Sequence, residues 1–242
     1  MKLSVFKPSF LLSVTMVAFV ASFVPVSHVF AASEANTNET KAVEPASSEE
    51  TVVDKKNPYK MIKTVAGLTF KRFALQSNDI KENPNLLKDV VAEELMPYVN
   101  HQYSAYKVIG KHLKNTSKED RKAFVPVFLD YLITSYAQVF TLYDNQEVLF
   151  SPEKDFAGKG IIAIKTEIVM PGGENIDVSF KVRIDKKTKE WKAFDMVAEG
   201  VSLLDSKQAE LGPLIRQKGL PYVTEMLKEK SQRDIVFKND KG

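Results

Sequence analysis

Three side chains able to do acid, base or nucleophile chemistry lie together in Phe194-Asp195-Met196-Val197-Ala198-Glu199-Gly200-Val201-Ser202-Leu203-Leu204. A carboxylate that projects into an apolar interior is desolvated, its pKa rises, and it can then exchange protons near neutral pH; Asp195 and Glu199 are the candidates. The competing role is structural, with Asp195 paired to a base on the last strand and Glu199 accepting backbone donors where strand meets tail. Ser202 does not read as a nucleophile, because Gly200-Val201-Ser202-Leu203 lacks the flanking glycine of a G-x-S-x-G elbow. His101 and His112, read on one helix, stand about 16 Å apart, too far to share a metal. With no cysteine in the chain, a transition-metal site has few remaining ligands. Phosphate-cradling loops are missing too: there is no G-x-x-x-x-G-K-[ST], Gly172-Gly173 falls at a hairpin, and Gly158-Lys159-Gly160 precedes a strand. No metal and no cofactor is expected.

The elements that must position these residues begin after two N-terminal segments. Met1 to Ala31 has Lys2 and Lys7, an apolar run from Phe10 to Val26, and Val29-Phe30-Ala31 at the end, the pattern of a secretory signal peptide. Pro25, Ser27 and His28 stop the run short of a membrane span. Removal of this segment leaves more than 200 residues, enough for one core, and 32 basic against 31 acidic side chains. That balance is not a nucleic-acid binder's. Residues 32 to 56 are polar and acidic with almost no large apolar side chain, so they read as a disordered linker that cannot offset its ordering entropy. The folded domain is expected over 57–238.

From Asn57 to about Tyr143 the periodicity is helical. Tyr59, Ile62, Val65, Ala66, Thr69 and Phe73 form one stripe, and Asn83-Pro84 opens a second helix that meets Pro97. A third runs from Tyr98 to Leu113. Thr116 to Asp120 carries the capping-box spacing that starts a helix to Tyr143. This last helix is apolar almost all round, so it is central to the domain or lines an apolar space, and Pro126 should kink it. Beyond Asn145 the period becomes two. Ile162, Ile164, Thr166, Ile168 and Met170, then Ile176, Val178, Phe180, Val182 and Ile184, alternate with polar residues around Pro171-Gly172-Gly173. With a short strand over Gln146 to Ser151 and another over Trp191 to Ala198, the expectation is α+β: a four-stranded antiparallel sheet packed on helices, closed by a helical tail from about Asp205 to Ser231.

Four separated stretches carry a resemblance: Asn57-Pro58-Tyr59, Asn83-Pro84, Glu93 to Val99, and the D-x-x-x-E-G-V-S run at Asp195 to Ser202, followed by Lys218, Gly219, Leu220 and Val223 in a K-G-[LI]-x-x-[LV] turn. Together they resemble the MlaC (toluene-tolerance auxiliary) family of periplasmic phospholipid carriers, over about Asn57 to Gln232. The acidic spacer, Pro126 and Ser206-Lys207 depart from the family pattern. The resemblance implies an NTF2-like fold enclosing an apolar cavity, residence in the periplasm, and no catalysis; a single-core monomer is the default expectation. It implies two docking partners, an outer-membrane lipoprotein-porin complex and an inner-membrane ABC transporter with an MCE-domain ring. The task it implies is shuttling glycerophospholipid between the two membranes so that outer-membrane lipid asymmetry is kept.

For that task the helix side of a cavity is expected at Phe128, Leu132, Tyr136 and Val139, and the sheet side at Ile164, Ile168, Val178, Phe180 and Val182. Each of these also suits an ordinary core. Exposing two long acyl chains to water costs on the order of 20 kcal/mol, so a carrier must shield them. A small-molecule isomerase or hydrolase in the same cone, with Asp195 or Glu199 as its acid or base, is the competing expectation.

Overall fold

The computed structural model describes residues 52–237. The signal peptide and most of the acidic linker read from the sequence lie outside the described residues. Composition assigns Val53 to Lys56 to that linker, but here they are bonded into the domain. The Trp191 N–H donates to the Lys55 carbonyl at 2.8 Å, and the Asp54 carboxylate accepts from the N–H groups of Lys56 and Asn57 at 2.9 and 3.3 Å. The orphan donor at a strand start finds its acceptor in a polar segment, which composition cannot reveal.

Helix α1 (Pro58–Leu75) starts where Asn57 caps it, the side chain accepting from the N–H groups of Tyr59 and Lys60, with Pro58 in the first turn. After α2 (Ser77–Glu82), helix α3 (Leu86–Val90) widens into a π turn over Val91–Leu95 and tightens to a 3-10 turn over Met96–Tyr98. Pro97 causes the change, since it has no N–H for the carbonyl four residues back. Arg72 of α1 clamps the widened turn through Glu93 at 2.6 Å and Glu94 at 3.0 Å. Helix α4 (His101–Ile109) ends at Gly110, whose φ of 55° passes the chain to a 3-10 turn over Gly110–Asn115. His101 and His112 are therefore not on one continuous helix, as the sequence had suggested. Any Cβ at Gly110 would collide with the Gln208 amide, which donates to the Lys107 carbonyl at 2.9 Å.

Helix α5 (Lys118–Phe140) is capped by Ser117, which accepts from the Asp120 N–H at 2.9 Å, and it continues on both sides of the exposed Pro126. Helix α6 (Leu203–Ser231) is broken at Gly219, φ 82° and ψ 164°, at the K-G-L turn expected from the sequence. Between α5 and α6 runs the sheet: β1 (Val148–Phe150), β2 (Ile161–Ile168), β3 (Ile176–Ile184), β4 (Trp191–Ala198) and β5 (Val201–Ser202). They pair antiparallel in sequence order. The count is five, not four. The extra strand is two residues long because Ser202 already caps α6, and the turn before it places Glu199 and Gly200 at positive φ.

The apolar interior divides into three clusters. One joins α4, α5, α6 and β4 through Val108, Phe124, Phe128, Leu211, Leu220 and Phe194. A second joins α1, α3 and the C-terminal half of α5 through Phe73, Val90, Val91 and Ala137. The third packs Met61, Ile62 and Val65 of α1 on Ile164, Val182 and Trp191 of the sheet. One contiguous core is usual for a domain this size.

Candidate functional site

The register of β2 and β3 sets the five expected sheet residues on one face. Ile164 opposes Phe180, Val182 opposes Ile162, Val178 opposes Thr166, and Ile168 opposes Ile176. Thr166, polar by type, stays on that buried face by donating to the Val178 carbonyl at 3.0 Å. Met196 and Ala198 of β4 join them, opposite Phe180 and Val178. The sequence reading omitted both, because a bulge opposite Lys181 and Val182 breaks the alternation of β4.

On the helix side, Phe128 and Leu132 belong to the α4–α5–α6 cluster and Tyr136 to the α1–α3–α5 cluster, whereas Ile164, Phe180 and Val182 belong to the α1–sheet cluster. The two sets are not packed on each other as a single core would pack them. Val139 departs from its expected place: it is 50% exposed, and Leu142 close by is exposed too, whereas Phe140 between them packs against Phe73. Helix α5 is apolar and long enough to cross a membrane, yet only 28% of its most apolar window is buried within the protein. Its partly buried apolar residues pack against two different clusters, Val125, Val127 and Leu132 against the first and Leu129, Ile133, Tyr136 and Phe140 against the second.

Tyr136 packs partly buried against the α1–α3–α5 cluster. Burial pushes its phenol up to about 12, with the Asp195 charge adding to the effect, although the side chain keeps part of its accessible area. The folded-state pKa lies above the unfolded value near 10, so the stabilisation is complete below pH 10 and is lost as pH rises toward 12. Between those limits wild type is expected to lose roughly 1.4 kcal/mol per pH unit more than Tyr136→Phe. Urea melts of both proteins at pH 9 and 11 check this, and equal pH dependence would contradict it.

Asp195 is occupied on both oxygens. Its Oδ2 accepts from Lys181 Nζ at 2.8 Å and from Ser202 Oγ at 2.7 Å, and its Oδ1 accepts from the Leu204 N–H at 3.1 Å. Ser202 Oγ in turn accepts from the Asp205 N–H at 3.0 Å, so one carboxylate ties β3, β4 and the start of α6 together. Glu199 is exposed and accepts from the Asp177 N–H at 2.6 Å. Both residues thus take the structural role that the sequence reading set against the catalytic one. His101 opens α4, its Nδ1 buried without a geometrically sound partner; burial and then Lys192 hold its pKa below the usual histidine value, while the nearby Val99 carbonyl opposes the shift.

A solved structure of a phospholipid-binding protein from Ralstonia solanacearum, in complex with a phospholipid, has the same fold: TM-score 0.64 at 16% identity, over 72% of this chain and 97% of that one. The intermembrane phospholipid transport system binding protein MlaC of Haemophilus influenzae is 31% identical over 188 residues, 77% of this chain and 88% of the relative. The family model described as MlaC protein matches residues 63–229. These matches span the helices, the sheet and nearly all of the closing tail, and the chain belongs to the MlaC family.

Proposed function

We propose that this protein is a periplasmic phospholipid carrier whose acyl-chain space lies between α5 and the apolar face of the sheet. The observation that carries this is the division of the interior: the α5 residues and the β2–β3 residues fall in separate clusters. The names of the Haemophilus relative and the Ralstonia fold neighbour support the same ligand. Phe128, Leu132, Tyr136, Ile164, Ile168, Val178, Phe180 and Val182 are assigned to the walls of that space and Val139 to its mouth. A monomer with such a space exchanges lipid with an outer-membrane lipoprotein-porin complex and an inner-membrane ABC transporter with an MCE-domain ring. Direction comes from those partners, because a ligand site alone only shifts populations.

The test is transfer of a fluorescent phospholipid from donor to acceptor vesicles. The rate is expected to rise in proportion to protein concentration, with lipid-loaded protein recoverable from the supernatant. Transfer no faster than buffer, with protein that stays empty, would end the proposal. The isomerase or hydrolase reading has less support, because Asp195 and Glu199 are both engaged by structural donors.

A further inference from the structure

A cleft of about 430 Å³ opens between the 3-10 turn over Gly110–Asn115 and one face of α6. Asp205, Gln208, Gly212 and Arg216 follow one another along that face at three- and four-residue steps, and Lys111 and His112 stand opposite. Two contacts fix how the walls align. The Gln208 amide meets Gly110, and His112 Nε2 lies 3.9 Å from where a Cβ on Gly212 would stand. The imidazole is therefore level with Gly212, about one turn of helix from Arg216. Asp205 lies seven residues the other way, about 10 Å along the axis, in the first turn of α6, where a carboxylate suits the positive end of the helix.

The end of the cleft at Arg216 is basic without a counter-charge. Among the described residues neither Lys111 nor Arg216 forms an ion pair, and His112 beside them is half-buried. Gly212 keeps this end open. Its backbone is ordinary helix and a Cβ there would meet only the imidazole at normal contact distance, so neither φ nor packing requires glycine, which weakens a helix interior. Glycine eases the crowding that Pro213 imposes on the residue before it, and it also leaves His112 Nε2 facing the cleft. Two cations and an imidazole around one open volume suit a phosphate group, whose terminal oxygens accept in pairs from arginine and singly from lysine and histidine. The volume exceeds the roughly 300 Å³ at which small-molecule pockets begin.

We infer that the cleft between the 3-10 turn and α6 binds a phosphate group, held by Lys111, His112 and Arg216. Free phosphate and the phosphodiester of a lipid headgroup both offer this chemistry. The inference goes beyond the carrier reading and stands apart from it, since the walls are α6 and the 3-10 turn instead of α5 and the sheet, and its test contains no acyl chain.

The test is an NMR titration of the processed protein that follows the His112 ring resonance at constant pH and ionic strength, with inorganic phosphate and separately with glycerophosphoethanolamine. A saturable shift with a Kd below about 10 mM is expected for at least one of them, while the resonance of His101, at the start of α4, stays in place. Tighter binding of inorganic phosphate assigns the cleft to free phosphate, and tighter binding of the diester assigns it to a headgroup. Lys111→Gln and Arg216→Gln are each expected to weaken binding at least about fivefold. Gly212→Leu removes no charge but fills the cleft, and it is expected to weaken binding at least about tenfold. Lys228→Gln, a change of charge elsewhere on α6, is expected to alter the Kd less than about twofold. Arg216 is exposed, so Arg216→Gln decides the matter if Gly212→Leu fails to fold. No saturable shift with either compound overturns the inference. So does a folded Gly212→Leu that binds like wild type, or a loss in Lys228→Gln as large as that in Arg216→Gln, which would mean diffuse attraction to a basic surface.

Discussion

Replacing Asp195 with alanine is expected to lower the domain's stability by about 3 kcal/mol, read as a drop of roughly 6–12 °C in melting temperature. The Asp195 side chain is 2% exposed, and it answers three donors from three directions: Lys181, Ser202 and the main chain of Leu204. Alanine leaves the buried Leu204 N–H without its acceptor and frees Lys181 and Ser202 from theirs. Removing one member of a fully buried ion pair costs about 3–5 kcal/mol, but Lys181 is 34% exposed and regains water, which puts the loss at the lower end. Asp195→Asn keeps an acceptor for Leu204 and should cost about half as much. Urea denaturation of the three proteins measures the order. An alanine variant that melts with wild type would mean that the carboxylate does not hold the junction, and would reopen its use in chemistry.

The second large effect comes from filling the proposed acyl-chain space. Leu132→Trp is expected to leave the lipid-free protein within about 1 kcal/mol of wild type while co-purified phospholipid falls at least about tenfold. The contrast is Phe128→Trp, four residues earlier on the same helix. Phe128 is fully buried and stacks on Phe124 at 5.5 Å, so added volume there must strain its neighbours by about 1–3 kcal/mol. Leu132 is only partly covered by protein, and a larger ring is expected to extend into the proposed acyl-chain space. Calorimetry of stripped protein and thin-layer analysis of extracted lipid separate the two quantities. Equal destabilisation at both positions would mean that α5 faces ordinary solid core at Leu132.

Much of this arrangement was legible because its periods are local. The three- and four-residue stripe of α1, the capping signal at Ser117, and the alternation of β2 and β3 each report on residues a few positions apart, and each of these elements lies where its pattern places it. The same alternation put Ile164, Ile168, Val178, Phe180 and Val182 on one face. What the patterns missed depends on distant partners. No local rule pairs Arg72 with Glu93 and Glu94, Lys55 with Trp191, or Gln138 with Val236. The bulge in β4 is invisible for the same reason: Ala193 and Met196 face the same way only because Phe194 is inserted between pairs set by β3. Exposure at the end of α5 also escaped. Val139 has the type and spacing of an interior residue, but the α1–α3 cluster takes its neighbours Tyr136 and Phe140 and leaves it half exposed.

The family match and the divided interior meet in one physical claim, that the space between α5 and the sheet takes the acyl chains of a phospholipid. Native mass spectrometry of the processed protein, purified without detergent and then mixed with phospholipid vesicles and separated from them, addresses it directly. The expected spectrum has a dominant species heavier than the polypeptide by the mass of one two-chain phospholipid, absent from Leu132→Trp. A spectrum showing the bare polypeptide alone, both as purified and after exposure to vesicles, would contradict the carrier assignment.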